Sequence, residues 1–146
     1  MTIPVFVVDA SVLLKWYLGK EEPNWEEADQ LYQRFGDGEV RVIVPEFALY
    51  ELANRFTRMG PQGQRWFLLA AAQLSDKAPW DAEFLAQSVA LTASARKHGI
   101  PKATVYDALY VQLAKKTGFP LLTADRIQGR LGEWAGVDVV WLWRYE

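Results

Sequence analysis

The strongest constraint in this sequence is the way its hydrophobic period switches. Short apolar runs rich in β-branched residues, such as Val5-Phe6-Val7-Val8 and Val42-Ile43-Val44, alternate with longer stretches whose apolar residues fall three and four apart. A run with no polar residue at every second position suits a strand buried on both faces, and such a strand needs helices above and below its sheet. The periods predict strands over 3–8, 40–44, 120–123 and 137–142, with a very short one around Ala78. Helices are expected over 10–18, 25–35, 65–74, 82–97, 104–116 and 126–131. A further helix is opened by Pro45 in the first turn, with Leu49, Leu52, Phe56 and Met59 as its apolar stripe. Strand alternating with helix is the signature of an α/β fold with a mostly parallel sheet covered on both faces.

The chain's 146 residues, 51% of them hydrophobic, show no repeat and no linker, and read as one domain over 1–146. With no Cys, disulfide frameworks, thiol catalysis and Cys-ligated metal sites are excluded. His98 is the only histidine, which excludes a two-histidine ribonuclease; in Arg96-Lys97-His98-Gly99 it reads as a helix-end residue suited to the dipole. The net charge of -2 argues against a broad basic surface for nucleic acid, and Arg55, Arg58 and Arg65 read as solvated helix-face charges. The apolar amino terminus lacks a basic leader and is interrupted by Asp9, and no window matches a membrane span, so a cytoplasmic protein is expected.

In parallel sheets of this kind ligands sit outside the carboxyl ends of the strands. Asp9 directly follows the first apolar run, and Asp125 follows Leu121-Leu122-Thr123-Ala124. Glu51 lies on the helix after the second strand, beside its apolar face, and Asp107 begins the helix that precedes the Asp125 strand. Each acid also has a structural use. Asp9 and Asp125 can cap helices, Asp107 can close a capping box with Thr104, and Glu51 can pair with Arg55 four residues on. None of these uses explains why four carboxylates would converge on one edge, where mutual repulsion calls for protons or a cation. Oxygen ligands without His or Cys favour Mg²⁺ or Mn²⁺ over zinc. Glu46, Asp81 and Asp138 fall at a helix start, an inter-helix break and a strand start, and are set aside.

Four segments carry a resemblance: Val7-Val8-Asp9-Ala10-Ser11; Pro45 with Glu51-Leu52-Ala53-Asn54; Tyr106-Asp107-Ala108-Leu109-Tyr110-Val111-Gln112-Leu113-Ala114; and Leu122-Thr123-Ala124-Asp125-Arg126. In order and spacing they resemble the PIN-domain family, in particular the VapC-type toxin ribonucleases. The resemblance implies a three-layer α/β/α sandwich, a metal-dependent ribonuclease, commonly a homodimer, and a cognate antitoxin that fills a hydrophobic groove. Carried over by position, Asp9, Glu51, Asp107 and Asp125 match the acidic quartet that holds Mg²⁺ or Mn²⁺. Ser11 and Thr123 match supporting hydroxyl positions, and Asn54 a frequent polar position. The tryptophan-rich carboxyl end, Trp141, Trp143 and Tyr145, matches no motif.

Rival readings share parts of this pattern. A haloacid-dehalogenase-like phosphatase wants a second acid two residues after the first, where Ser11 stands. A phospho-receiver domain has no need of Glu51 and Asp107. The alternatives of the same fold are a catalytically silent binding or scaffold module and a DNA-directed nuclease. The expected function is divalent-metal-dependent endoribonuclease.

Overall fold

The computed structural model describes residues 2–146. The sheet is built on β1 (Val5–Val8), whose β-branched residues occupy both faces: Val7 and Val8 point in opposite directions, and both are fully buried. β1 pairs in parallel with β2 (Arg41–Pro45) on one side and with β4 (Leu121–Thr123) on the other. The edges are β3 (Lys77–Ala78) beside β2 and β5 (Val139–Trp141) beside β4, giving the all-parallel order β3-β2-β1-β4-β5.

Among the described residues, seven α-helices cover this sheet. α1 (Ala10–Leu18), α2 (Trp25–Gly36), α3 (Phe47–Phe56) and α4 (Pro61–Gln73) pack among themselves, and α5 (Ala82–Lys97), α6 (Val105–Thr117) and α7 (Arg126–Trp134) form the other group. The result is the expected three-layer α/β/α sandwich. α6 lies across β1, β2 and β4 and buries Ala108, Leu109, Tyr110, Val111, Leu113 and Ala114. It starts at a capping box formed by Thr104 and Asp107, and it stops at Gly118, whose φ of 77° closes the last turn at little cost.

Two boundaries differ from expectation around proline. Pro45 does not open a helix; it is the last residue of β2 and stands opposite Ala78, and α3 begins at Phe47. The bonds to β3 come from the flanking amides, Val44 to the Asp76 carbonyl at 3.1 Å and Glu46 to the Ala78 carbonyl at 2.8 Å, so the ladder with β3 asks no donor of Pro45. Conversely, Gly60-Pro61 both ends one helix and begins the next. After a single 3₁₀ turn over Thr57–Met59, Pro61 occupies the first turn of α4, four residues ahead of the expected start. Proline suits that position because its missing N–H is one the helix could not bond.

Candidate active site

Parallel pairing of β1 with β4 puts two chain turns side by side at the carboxyl edge. The Asp9 amide still donates to the Leu122 carbonyl at 3.1 Å, so the ladder runs one residue beyond β1 and delivers Asp9 to the sheet edge. Asp9 caps α1, its Oδ2 accepting from the Ser11 amide at 3.1 Å. Asp125 caps α7, its Oδ1 accepting from the Gln128 amide at 2.9 Å. The supporting hydroxyls lie where the sequence puts them. Buried Thr123 accepts from the Asp125 amide at 3.0 Å, and the Ser11 hydroxyl accepts from the Ala124 amide at 3.4 Å, tying the two turns together.

The other two acids arrive on helices. Asp107 completes its capping box, with Oδ2 accepting from the Thr104 amide at 3.2 Å and the Thr104 hydroxyl at 3.0 Å. Glu51 does not pair with Arg55. Its Oε1 accepts from the Tyr110 hydroxyl at 2.6 Å, a contact that links α3 to α6 across the site. The capping roles of Asp9, Asp107 and Asp125 are therefore real, and they act together with convergence rather than instead of it. Asn54 is exposed, and only its backbone carbonyl is engaged, by the Thr57 hydroxyl.

Burial and neighbouring charge act in the same direction on three of these acids. Burial raises Glu51 from 4.5 to about 7, and the charges of Asp9, Asp107 and Asp125 push it the same way against the lowering bond from Tyr110. Burial also raises Asp107 from 3.8 to about 6, with Asp125 and Asp9 adding to the rise. Asp9 is raised by burial too, against hydrogen bonds from Ser11 and Gln128 that favour its ionised form. Each of the three is thus held above its ordinary value first by burial and then by the charge of a neighbouring acid, Asp125 in every case.

Two residues of the site escaped the sequence reading. Gln128 is 1% exposed, and its Nε2 donates to Asp9 Oδ1 at 2.9 Å while its backbone amide holds Asp125. One residue therefore fixes both strand-end acids. Its Oε1 is buried without a partner. Tyr110, also 1% exposed, is the second. Helical spacing was the available signal: Gln128 stands three residues after Asp125 and Tyr110 three after Asp107, each on the face its acid already defines. The acids set aside have other work: Asp81 caps α5 and Glu46 accepts from the Trp80 amide.

Among the described residues no three of His, Cys, Asp or Glu stand close enough to form a finished metal cage. The donor set nevertheless fits a hard divalent cation: four carboxylates, no nitrogen or sulfur ligand, three acids raised chiefly by burial, and an orphaned amide oxygen beside Asp9.

An all-parallel α/β/α sandwich with a carboxylate cluster at the ends of two central strands defines a class of acid-centred α/β domain. The chain belongs to the PIN domain family, which it matches over residues 6–133. It is 33% identical over 132 residues to Ribonuclease VapC3 of Pyrobaculum aerophilum, covering 82% of this chain and 88% of that protein. Its fold is similar to that of FitAB bound to an IR36 DNA fragment, with a TM-score of 0.73, 17% identity and 97% of each chain covered. It is also similar to FitAcB from Neisseria gonorrhoeae, with a TM-score of 0.69 and 17% identity, covering 95% of this chain and 99% of that one.

Proposed function

We propose that this protein is a Mg²⁺- or Mn²⁺-dependent endoribonuclease, the toxin of a toxin–antitoxin pair. The observation that carries the reading is geometric: Asp9 and Asp125 stand at the ends of the paired strands β1 and β4 and are held by one residue, Gln128, with Glu51 and Asp107 brought within range of their charge. The ribonuclease relative supports RNA as the substrate. Asp9 and Asp107 would hold the cation, with Asp125 and Glu51 completing its surroundings. When bound, the cation supplies charge neutralisation for a phosphodiester and a lower pKa for water.

This chain's own residues do the rest. The Ser11 amide and the Gln128 amide nitrogen fix both oxygens of Asp9 before any ligand arrives. Thr123 and Ser11 lock the two turns, so the acids need little reorganisation. The Tyr110 hydroxyl orients Glu51, the carboxylate placed to accept a proton from the attacking water. Water attacks phosphorus and the ribose 3′-oxygen leaves, so the products are a 5′-phosphate and a 3′-hydroxyl. His98 takes no part: it caps α5, bonds the Ser94 carbonyl at 2.7 Å and stacks on Trp134.

Two apolar surfaces suit the proposed partners. Exposed Tyr50, Trp80, Leu85 and Val89 on and around α3 and α5 suit a second copy of the chain. A separate groove on α4, lined by Gln62, Arg65, Trp66 and Leu69, suits an amphipathic antitoxin segment. No helix among the described residues is long and apolar enough to cross a membrane, and the proposed setting is the cytoplasm.

The test is cleavage of a mixed panel of structured and single-stranded RNAs with Mg²⁺, Mn²⁺ or EDTA, comparing wild type with Asp107→Asn and mapping the ends. Metal-dependent cuts with 5′-phosphates, lost in the variant, support the reading. Cyclic phosphate ends would overturn the mechanism, and absence of both cleavage and metal binding would favour a binding module.

A further inference from the structure

The tryptophan-rich carboxyl end matched no motif, and its place in the fold is informative. β5 pairs with β4 so that Trp141 stands opposite Thr123, the last residue before the Ala124-Asp125 turn. The 3₁₀ turn Leu142–Arg144 then carries Trp143 beyond β5 to Arg126, the first residue of α7. There the Trp141 and Trp143 rings stack at 4.7 Å with an interplanar angle of 21°, and the Arg126 guanidinium lies 5.0 Å from the Trp143 ring centre. Arg126 directly follows Asp125, the acid that caps α7, so the column reaches a residue adjacent in the chain to the site.

The column is also preorganised. Leu142 is fully buried, and Trp141 Nε1 donates to Glu133 at 3.1 Å. Gly129 leaves room for the indole: a Cβ there would lie 2.0 Å from Trp141 Cη2. Arg126 is exposed and enters no ion pair among the described residues. A guanidinium held over an aromatic ring, rather than paired with an acid, keeps donors for a phosphate and a surface on which a base can stack. In a protein of net charge -2 whose site gathers four carboxylates, a fixed positive group beside that site is what an anionic strand requires.

We propose that Arg126 and Trp143, backed by Trp141, form a stacking subsite for an unpaired base of the RNA strand next to the phosphate held at the carboxylates. Stacking reads any base with a planar face, so the subsite selects single-stranded or looped RNA over duplex. The inference rests on the ribonuclease reading above and adds a substrate-binding surface on the β5 flank, away from the apolar face on α3 and α5.

The test measures steady-state cleavage of a mixed-sequence single-stranded RNA by the full chain, with Mn²⁺ affinity read in parallel by calorimetry. Arg126→Ala and Trp143→Ala each raise KM roughly five- to a hundredfold, the range for loss of one base stack, with a smaller effect on kcat. Trp143→Phe retains most of the wild-type KM, and Mn²⁺ affinity is unchanged in all three. Should Trp143→Ala misfold by circular dichroism, Arg126→Ala at its exposed position carries the test. Wild-type cleavage with unaltered KM in Arg126→Ala overturns the subsite and leaves the nuclease reading intact. Failure of the wild type both to cleave and to bind metal overturns both. Unaltered RNA kinetics with lost binding of a co-expressed antitoxin overturns it in favour of a protein interface.

Discussion

Replacing Glu51 by Gln isolates the charge strain of the site in a protein without metal. Burial first, and then the charges of Asp9, Asp107 and Asp125, hold Glu51 at about 7 against an ordinary 4.5, opposed by the hydrogen bond from Tyr110. Because the folded value is the higher one, the folded state holds the proton more tightly. The group's contribution therefore turns unfavourable as pH rises from 4.5 towards 7, and is constant beyond. At 1.36 kcal/mol per pH unit, the full cost to the folded state above pH 7 is about 3 kcal/mol. Gln keeps an oxygen to accept from Tyr110 and carries no charge. In a domain of this size that cost corresponds to roughly 6–12 °C in Tm. Thermal unfolding in EDTA from pH 4 to 8 is the assay. Glu51→Gln should match wild type near pH 4 and exceed it by several degrees at pH 8. Excess Mg²⁺ should stabilise wild type at pH 8 and close part of the gap, since a ligand bound only by the folded state raises its stability. A difference from wild type that is the same at both pH values, or a variant less stable at pH 8, would show that Glu51 is not held above its ordinary value in the fold.

Gln128→Leu removes the donor to Asp9 and leaves a similar volume. Mn²⁺ affinity by calorimetry should fall about tenfold or more, the usual effect of losing a group that orients a ligand, while the fold persists by circular dichroism. Gly129→Ala drives a methyl into the Trp141 ring and should lower stability by about 1–3 kcal/mol in denaturant unfolding, with loss of the Trp141–Trp143 stack. His98→Ala should leave the cleavage rate near wild type, and a loss greater than about tenfold would reopen its assignment as a cap.

Much of this architecture is legible in the residues because the signals are local. The switch from unalternated apolar runs to helical spacing marks all five strands and seven helices, and Asp9, Asp107 and Asp125 sit where their own caps put them. The failures are non-local. Pro45 reads as a helix start by propensity, and only its pairing with Ala78 makes it a strand end. Glu51 reads as a partner of Arg55 by spacing, and only the packing of α6 brings Tyr110 to it. Gln128 is a polar residue on a short helix until the β1–β4 pairing sets Asp9 beside it. The stacked column at β5 depends on the same kind of register and has no short sequence pattern of its own.

The pairing of β1 with β4 also governs when the protein becomes whole. Val7 meets Leu121 only after more than a hundred intervening residues have been made, and Gln128, which holds Asp9, comes later still. Contacts of such long sequence separation close late, and a chain emerging amino end first cannot close them early. A nascent or prematurely terminated chain thus carries Asp9, Glu51 and Asp107 without the strand that gathers them. The carboxylates at this sheet edge are thus gathered only once the chain has been made through Gln128, and any shorter fragment lacks the residue that holds Asp9.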